Sequence, residues 1–422
     1  MNLYTAADGL FGTHVTWADI EEDMQRELDT VASFGSNKTA KDIGDGNGFM
    51  SKIVLIEPDW QHKDKQLPEK FIVKILTQLA MQKLVSDISD QQNVSFDETF
   101  SSPEFMAQME VLQKNCHNAE VTVYTHLVKV PEHKVDIPKI YYMKKFTEWN
   151  PVKGYMIMEY FENIKSVHIF ENISPEDIKQ VIRNKAVIEA QSLDFTPEEK
   201  EALGQSPFKT LFAPMFKKEV LGNITSLLRT FDGGKLADRA DKLEEIMYEL
   251  SDLDWADKLA DEFGMERVLC HGDLWSMNLL WRKDGDAHKL AAMIDYQTAH
   301  FGCAATDLVR LFCACLSGKD RQAYWEELLE EFYSYLKKEV GNRKMPYTIE
   351  QLKEAYLQYL PMGAFMIVPM IGSMFEMVIK NADEEHRKKS LVIVMEKAEC
   401  MLDDIFYYNE RNRAIRKSKS VA

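Results

Sequence analysis

A chain of 422 residues, 45% hydrophobic and 28% charged, is long enough for two domains or one large bilobal one and can bury a core without disulfide staples. Its 68 acidic residues against 51 Lys and Arg give a formal charge of -17, which repels a phosphate polyanion and excludes non-specific nucleic-acid binding. Cys116, Cys270, Cys303, Cys313, Cys315 and Cys400 form no CxxC pair and lie mostly in apolar runs. They indicate neither a zinc site nor a disulfide framework, and read as reduced core residues of a cytosolic protein.

The opening stretch, MNLYTAADGLFG, has no basic n-region and no apolar run of signal length, so a cytoplasmic location is expected. A leading helix is expected over Asp19 to Phe34, with Ile20, Met24, Leu28 and Val31 on one face. Strand patterns follow at Phe49 to Ile56 and Lys70 to Leu76, around a polar turn at Pro58 to Leu67. Ser102-Pro103-Glu104 reads as an N-cap with proline in the first turn, and Asn118 reads as the cap of another helix carrying Val121, Tyr124 and Val128. Lys139 to Phe146 and Tyr155 to Tyr160 form a second strand pair about the turn Glu148-Trp149-Asn150-Pro151.

Beyond Ile173 the pattern is helical. Ser174-Pro175-Glu176-Asp177 opens a helix with Ile178, Val181, Ile182 and Ile188 on its apolar face. Further helices are expected at Ser206 to Leu228, Lys235 to Phe263, Asp320 to Val340, Thr348 to Leu360 and His386 to Asn409. Ala355 to Phe375 carries no charge, but Pro361 and Pro369 break it and its flanks Glu354 and Glu376 are acidic. Buried helices of a large lobe, with no integral membrane segment, are therefore expected there. The basic residues Arg411, Arg413, Arg416, Lys417 and Lys419 read as a frayed, solvated end.

One island, Val268 to His300, breaks the helical half with strand-length apolar runs and short loops. It contains His271-Gly272-Asp273-Leu274-Trp275-Ser276-Met277-Asn278, then Ile294-Asp295-Tyr296. An aspartate, an asparagine five residues on and a second aspartate after a strand suit transfer of a phosphoryl group from ATP. Asp273 suits the base or orienting carboxylate, while Asn278 and Asp295 offer the hard oxygen donors that Mg²⁺ prefers.

The run from His271 to Trp281, with Ile294-Asp295-Tyr296-Gln297, Phe301-Gly302 and Asp307-Leu308, resembles the phosphotransferases grouped with choline kinase and aminoglycoside phosphotransferase. It is more similar to their ecdysteroid-kinase-like, or CHK-kinase-like, branch of insects and nematodes. The resemblance implies an α+β, bilobal protein-kinase-like fold, with an antiparallel-sheet nucleotide-binding lobe over 1–163 and a larger helical lobe over 164–422. It implies Asp273 as catalytic base, and Asn278 and Asp295 as magnesium ligands.

Further ATP-binding candidates follow from the same resemblance. Gly44, Gly46 and Gly48 precede a strand and would admit phosphate oxygens to backbone amides; alone, an ordinary hairpin turn explains them better, and it is their place upstream of Phe71 to Ile75 that supports the phosphate loop. Lys74, inside the apolar Phe71 to Ile75, would face the α- and β-phosphates, unless it is an edge-strand lysine turned to solvent. Glu120 is its candidate partner, with Glu104 and Glu110 as rivals. Met158, Glu159 and Tyr160 would lie at the adenine edge by their position, with an ordinary core methionine an equal reading of Met158. Gln297 stands where relatives often carry a second acid, and Gly272 where protein kinases place an arginine. The acceptor expected is a small alcohol. Met362, Met366, Met370, Met374 and Met377 read first as a flexible core face and, more sharply, as an apolar wall for a steroid-like or foreign compound, whereas Trp275, Trp281, Tyr296 and Tyr359 offer rings for a choline-type cation. A catalytically silent nucleotide-binding protein is the rival from another class.

Overall fold

Thr16 opens the first helix. Its hydroxyl accepts the Asp19 amide while the Asp19 carboxylate accepts the Thr16 amide, a capping box that starts α1, Trp17–Leu28. The computed structural model describes residues 2–44, 50–79, 102–204, 218–285, 287–379 and 382–421. Asp29 adopts the left-handed conformation and ends α1, so the helix stops short of Val31, which is 78% exposed rather than on the apolar face. The chain divides into two compact units, Met1–Val130 with Ile137–Glu162, and Pro131–Asp136 with Asn163–Ala422.

Unit 1 is built on a five-stranded antiparallel sheet: β1 (Thr39–Asp42), β2 (Ser51–Glu57), β3 (Phe71–Leu76), β4 (Ile140–Lys144) and β5 (Tyr155–Glu159), in the order β1-β2-β3-β5-β4. The edge strand β1 was not legible, because Thr-Ala-Lys-Asp has no buried residue to set an alternation. On β3, Phe71, Val73 and Ile75 join Ile20 and Met24 of α1 and Tyr155 and Ile157 of β5 in one core. The two-residue period therefore places Ile72, Lys74 and Leu76 on the opposite face. The helices expected to start at Ser102 and Asn118 are a single helix, α2, Pro103–Leu127. Ser102 caps it, but Asn118 lies inside it and spends its polar atoms on the backbone of Phe146, donating to the carbonyl at 3.0 Å and accepting the amide at 2.9 Å.

Unit 2 begins with β6 (Lys165–Ser166) and α3 (Pro175–Ser192), the latter capped by Ser174. The helix expected from Ser206 is described only from its later part, α4 (Lys218–Thr230), because 205–217 lie outside the described residues. The single helix expected over Lys235 to Phe263 is instead α5 (Ala237–Ile246) and shorter pieces, interrupted where the Asp252 side chain caps a new start by accepting the Trp255 amide. Then come β7 (Val268–Cys270), β8 (Leu279–Asp284), β9 (Ala287–Met293) and β10 (His300–Gly302). The helices α6 (Ala304–Cys315), α7 (Gly318–Val340), α8 (Ile349–Phe365), α9 (Val368–Ile379) and α10 (Glu384–Val421) complete the unit. Among the described residues no helix is long and apolar enough to cross a membrane.

Pro361 does not end its helix, contrary to the sequence expectation; it sits inside α8, and the break comes after Phe365. A proline there removes the amide that would bond the carbonyl of Leu357. The buried side chain of Asn412 on α10 supplies the missing donor, with Nδ2 3.1 Å from the Leu357 carbonyl and 3.2 Å from that of Gln358. Nor is the basic end frayed. Arg411 pairs with Glu354, and Arg413 and Arg416 with Glu249, so these charges hold α10 against the rest of unit 2. Lys397 of α10 is fully enclosed, and burial draws its ammonium down to about 8. It donates to the carbonyls of Ile169, Glu171 and Ala314, the last in the final turn of α6.

Replacing Asn412 by Leu should lower the unfolding free energy by about 1–3 kcal/mol, the cost of buried carbonyls left without a donor. Pro361→Ala restores an amide to the helix, so the same replacement should cost less in that background, with a coupling of about 0.5 kcal/mol or more in denaturant unfolding. Strictly additive costs would contradict the assignment.

Candidate functional site

In unit 1, Lys74 extends from the face of β3 away from the main core, and its Nζ lies 2.9 and 2.8 Å from the two carboxylate oxygens of Glu120 on α2. Both are buried, at 6% and 1% exposure. Glu104 is exposed near the start of α2, and Glu110 takes the Leu3 amide at 3.1 Å and pairs with Lys114. Two neighbours of Glu120 set the height of α2 over the sheet. His117 Nε2 lies 2.8 Å from the Lys144 carbonyl, and Asn118 brackets Phe146 as described. A buried pair of this kind is weak as a source of stability, since desolvating both charges offsets most of their attraction.

The other unit 1 candidates divide. Gly44 donates its amide to Asp42 Oδ1 at 3.1 Å, and Asp42 also pairs with Lys52, so this amide is engaged by a side chain. Gly46 and Gly48 lie outside the described residues. Met158 is buried opposite Ile72, and Met156 stands opposite Lys74. Glu159 exchanges bonds with Lys139, its amide donating to the carbonyl at 2.8 Å and its carboxylate accepting the amide at 3.2 Å. Tyr160 is half-buried.

In unit 2 the chain leaves β7 into the loop carrying Asp273 and returns as β10, pairing antiparallel with β7 through His300 opposite Cys270. The hairpin of β8 and β9 fills the interval, so departure and return lie side by side. Ile294 donates its amide to the Asn278 carbonyl at 3.0 Å, tying the segment before Asp295 to the end of the first loop. Gly272 has φ +80°, and a Cβ there would stand 2.2 Å from the Thr298 carbonyl oxygen. Only glycine fits this crossing.

The loop hangs on Asp307 in the first turn of α6. Its carboxylate accepts the His271 amide at 2.7 Å and the Gly272 amide at 3.0 Å, and pairs with Lys185 at 3.0 Å. Burial by itself would raise this carboxyl, but Lys185 and the two amides hold it below the usual aspartate range. Lys185 also meets Glu189 at 3.1 Å, and Glu189 takes the Tyr347 hydroxyl. Burial pushes the Glu189 carboxyl up. His271 accepts the Asp273 amide at Nδ1, 3.3 Å away, and so directs Nε2–H to the Ile294 carbonyl at 3.0 Å.

Asp273 itself is held from two sides. Arg310 Nη2 is 2.5 Å from Oδ1, and Asn278 Nδ2 is 3.1 Å from Oδ2 and 2.8 Å from the Asp273 carbonyl. Asn278 spends its donor on Asp273, which leaves its oxygen as the atom suited to a cation. Asp295 stands in the left-handed conformation, φ 70° and ψ 62°, a strained backbone for a residue with a Cβ. A cavity of about 60 Å³ adjoins this loop, lined among others by Ala256, Gly272, Arg310, Tyr359 and Met366. Of the rings offered for a cationic acceptor, Trp281 and Tyr296 are buried at 0% and 1% exposure and serve the core instead. Met362 is likewise buried, and the side chains of Met370, Met374 and Met377 lie outside the described ones. No disulfide joins the six cysteines, and burial pushes Cys313 up to about 11 and Cys303 and Cys315 up to about 12, far from nucleophilic.

Sequence reading missed Arg310, and missed Lys185 and Glu189 as the support of Asp307. The signal was present in part. Asp307 and Arg310 are one turn apart in the otherwise apolar Ala304–Cys315, and Lys185 and Glu189 are four apart on α3.

A lysine on the third strand, a helix between the third and fourth strands bringing a glutamate to it, and an Asp-Asn loop in a helical unit define a kinase-like α+β protein. The chain belongs to the DUF1679 family, described as "Uncharacterized oxidoreductase dhs-27", whose model matches residues 3–413. It is 24% identical over 358 residues to the Caenorhabditis elegans protein named "Uncharacterized oxidoreductase dhs-27", covering 80% of this chain and 40% of that protein. The chain thus spans less than half of that relative's length. It is 22% identical over 325 residues to "Uncharacterized kinase-like protein D1044.1" of the same organism, covering 76% of this chain and 79% of that protein. Among solved structures it is similar to a choline kinase from Cryptosporidium parvum Iowa II, at 14% identity and TM-score 0.42 over 91% of each chain.

Burial draws the His117 imidazole down to about 4. Between about pH 6.5 and 4 the unfolded chain therefore binds a proton that the folded chain does not, so this contribution is intact above about 6.5 and lost as pH falls. Wild type should lose about 2 kcal/mol of unfolding free energy through this group between about pH 7 and 5, and His117→Gln should lose correspondingly less over that interval. Equal losses in urea unfolding would contradict it.

Proposed function

We propose that this chain is an ATP- and magnesium-dependent phosphotransferase that moves a γ-phosphoryl group to the hydroxyl of a small, largely apolar alcohol. The observation that carries this reading is the buried pair of Lys74 with both oxygens of Glu120. Stability does not call for such a pair, whereas a lysine held at fixed height by a glutamate is the device by which kinase-like proteins present a cation to nucleotide phosphates.

Unit 2 supplies the groups that the chemistry needs. Asp273 accepts the acceptor's hydroxyl proton as the bond from that oxygen to the γ-phosphorus forms; the bond to the β-phosphate oxygen breaks, and ADP leaves with its electron pair. The oxygens of Asn278 and Asp295 fit Mg²⁺, which takes few protein ligands and would neutralise charge on the phosphates when bound. Gln297 is an amide, so the charge for a second metal does not come from that position. The cavity beside Gly272 has Leu253, Ala256 and Met366 in its wall, which suits an apolar acceptor, while Asp257 and Tyr359 in the same wall keep a choline-type cation as the second reading.

The word oxidoreductase, in the family's description and in one relative's name, is the name of a protein of which this chain spans 40%. The strand pairs among the described residues are antiparallel, whereas a dinucleotide-binding doubly wound sheet is parallel.

Purified chain incubated with Mg²⁺, γ-labelled ATP and a panel of alcohols should place label in an organic product. Asp273→Asn should lower kcat by about 10²–10⁴-fold with nucleotide affinity little changed. Label transfer by Asp273→Asn at the wild-type rate would contradict the role given to Asp273.

A further inference from the structure

The loop from His271 to Trp281 contains no lysine or arginine. The cation on Asp273 comes instead from a residue 37 positions downstream, Arg310 on α6. Its guanidinium is 2.5 Å from Oδ1 and 5.7 Å from the ring centroid of Trp275, a residue of the same loop. Its side chain is 16% exposed and also lines the cavity beside Gly272. One turn earlier on α6, Asp307 holds the amides of His271 and Gly272. A single turn of helix therefore grips the loop twice, the backbone through Asp307 and the carboxylate through Arg310.

Resting on the phosphotransferase reading, we propose that Arg310 is the positioning residue for Asp273, fixing the rotation of its carboxylate so that a defined lone pair faces the acceptor hydroxyl. An aspartate carboxylate rotates in a broad, roughly two-fold well and can accept at about four positions. Arg310 on Oδ1 and Asn278 on Oδ2 occupy one position on each oxygen and stop that rotation, leaving the remaining lone pairs for substrate. The planar fork of arginine can bond the carboxylate while lying against Trp275; a lysine can only do the first. Orientation errors of this kind cost about 10²-fold in rate without weakening binding.

The test measures phosphoryl transfer from Mg·ATP to the best alcohol of the panel by wild type, Arg310→Ala, Arg310→Lys and Asp273→Asn, with and without added methylguanidinium, alongside thermal unfolding. Arg310→Ala should lower kcat by about 10²-fold while the KM for ATP stays within about 3-fold, and Arg310→Lys should fall between it and wild type. Methylguanidinium should restore Arg310→Ala by about 10-fold and leave Asp273→Asn unchanged. Arg310→Ala retaining more than about half of the wild-type kcat, or a loss that neither lysine nor methylguanidinium repairs in a variant melting like wild type, overturns the positioning role and leaves the phosphotransferase reading standing. Wild type transferring no phosphoryl group overturns that reading, and the Arg310 proposal with it.

Discussion

A single buried carboxylate organises the loop on which the chemistry proposed for unit 2 rests. Asp307, 2% exposed, would be costly to bury alone, and it is stabilised by Lys185 and by two backbone amides that the loop could not otherwise satisfy. Removing one member of such a pair costs about 3–5 kcal/mol, because the other charge is left in the interior. From this anchor the rest follows by short covalent steps. His271 and Gly272 are pinned, Asp273 is placed next to them, and Arg310 is set one helical turn from the anchor.

Unit 1 solves a similar problem with a different element. Here a strand offers the cation and a helix offers the acid. His117 and Asn118 lock α2 to the backbone of β4 and the residues after it, which fixes where Glu120 meets Lys74. Each unit thus keeps its charged side chains in place by hydrogen bonds to backbone, the groups least able to move.

Much of this was legible because the relevant patterns are local. The apolar alternation of β2, β3 and β5, the cap at Ser102 and the string from His271 to Asn278 are each readable within a few residues. The edge strand β1 was not, since four residues paired along one side, with Ala40 the single apolar one, carry too short a periodic signal. The fused helix α2 was misread at Asn118, where a capping residue type serves a tertiary contact inside the helix. Pro361 was misread for the same kind of reason, as its compensation by Asn412 comes from 51 positions away. At the site, Asp273, Asn278 and Asp295 stood out by spacing, whereas Arg310 and Lys185 act through folding partners remote in sequence.

The central claim is that Lys74, held by Glu120, meets the phosphates of a magnesium-bound nucleotide. Calorimetric titration of the chain with ATP tests it most directly. The account predicts saturable binding that depends on Mg²⁺ and weakens by about 10-fold or more in Lys74→Met, the loss of one charge-assisted contact. Absence of binding to the wild-type chain with Mg²⁺ present, or undiminished affinity in Lys74→Met, would contradict it.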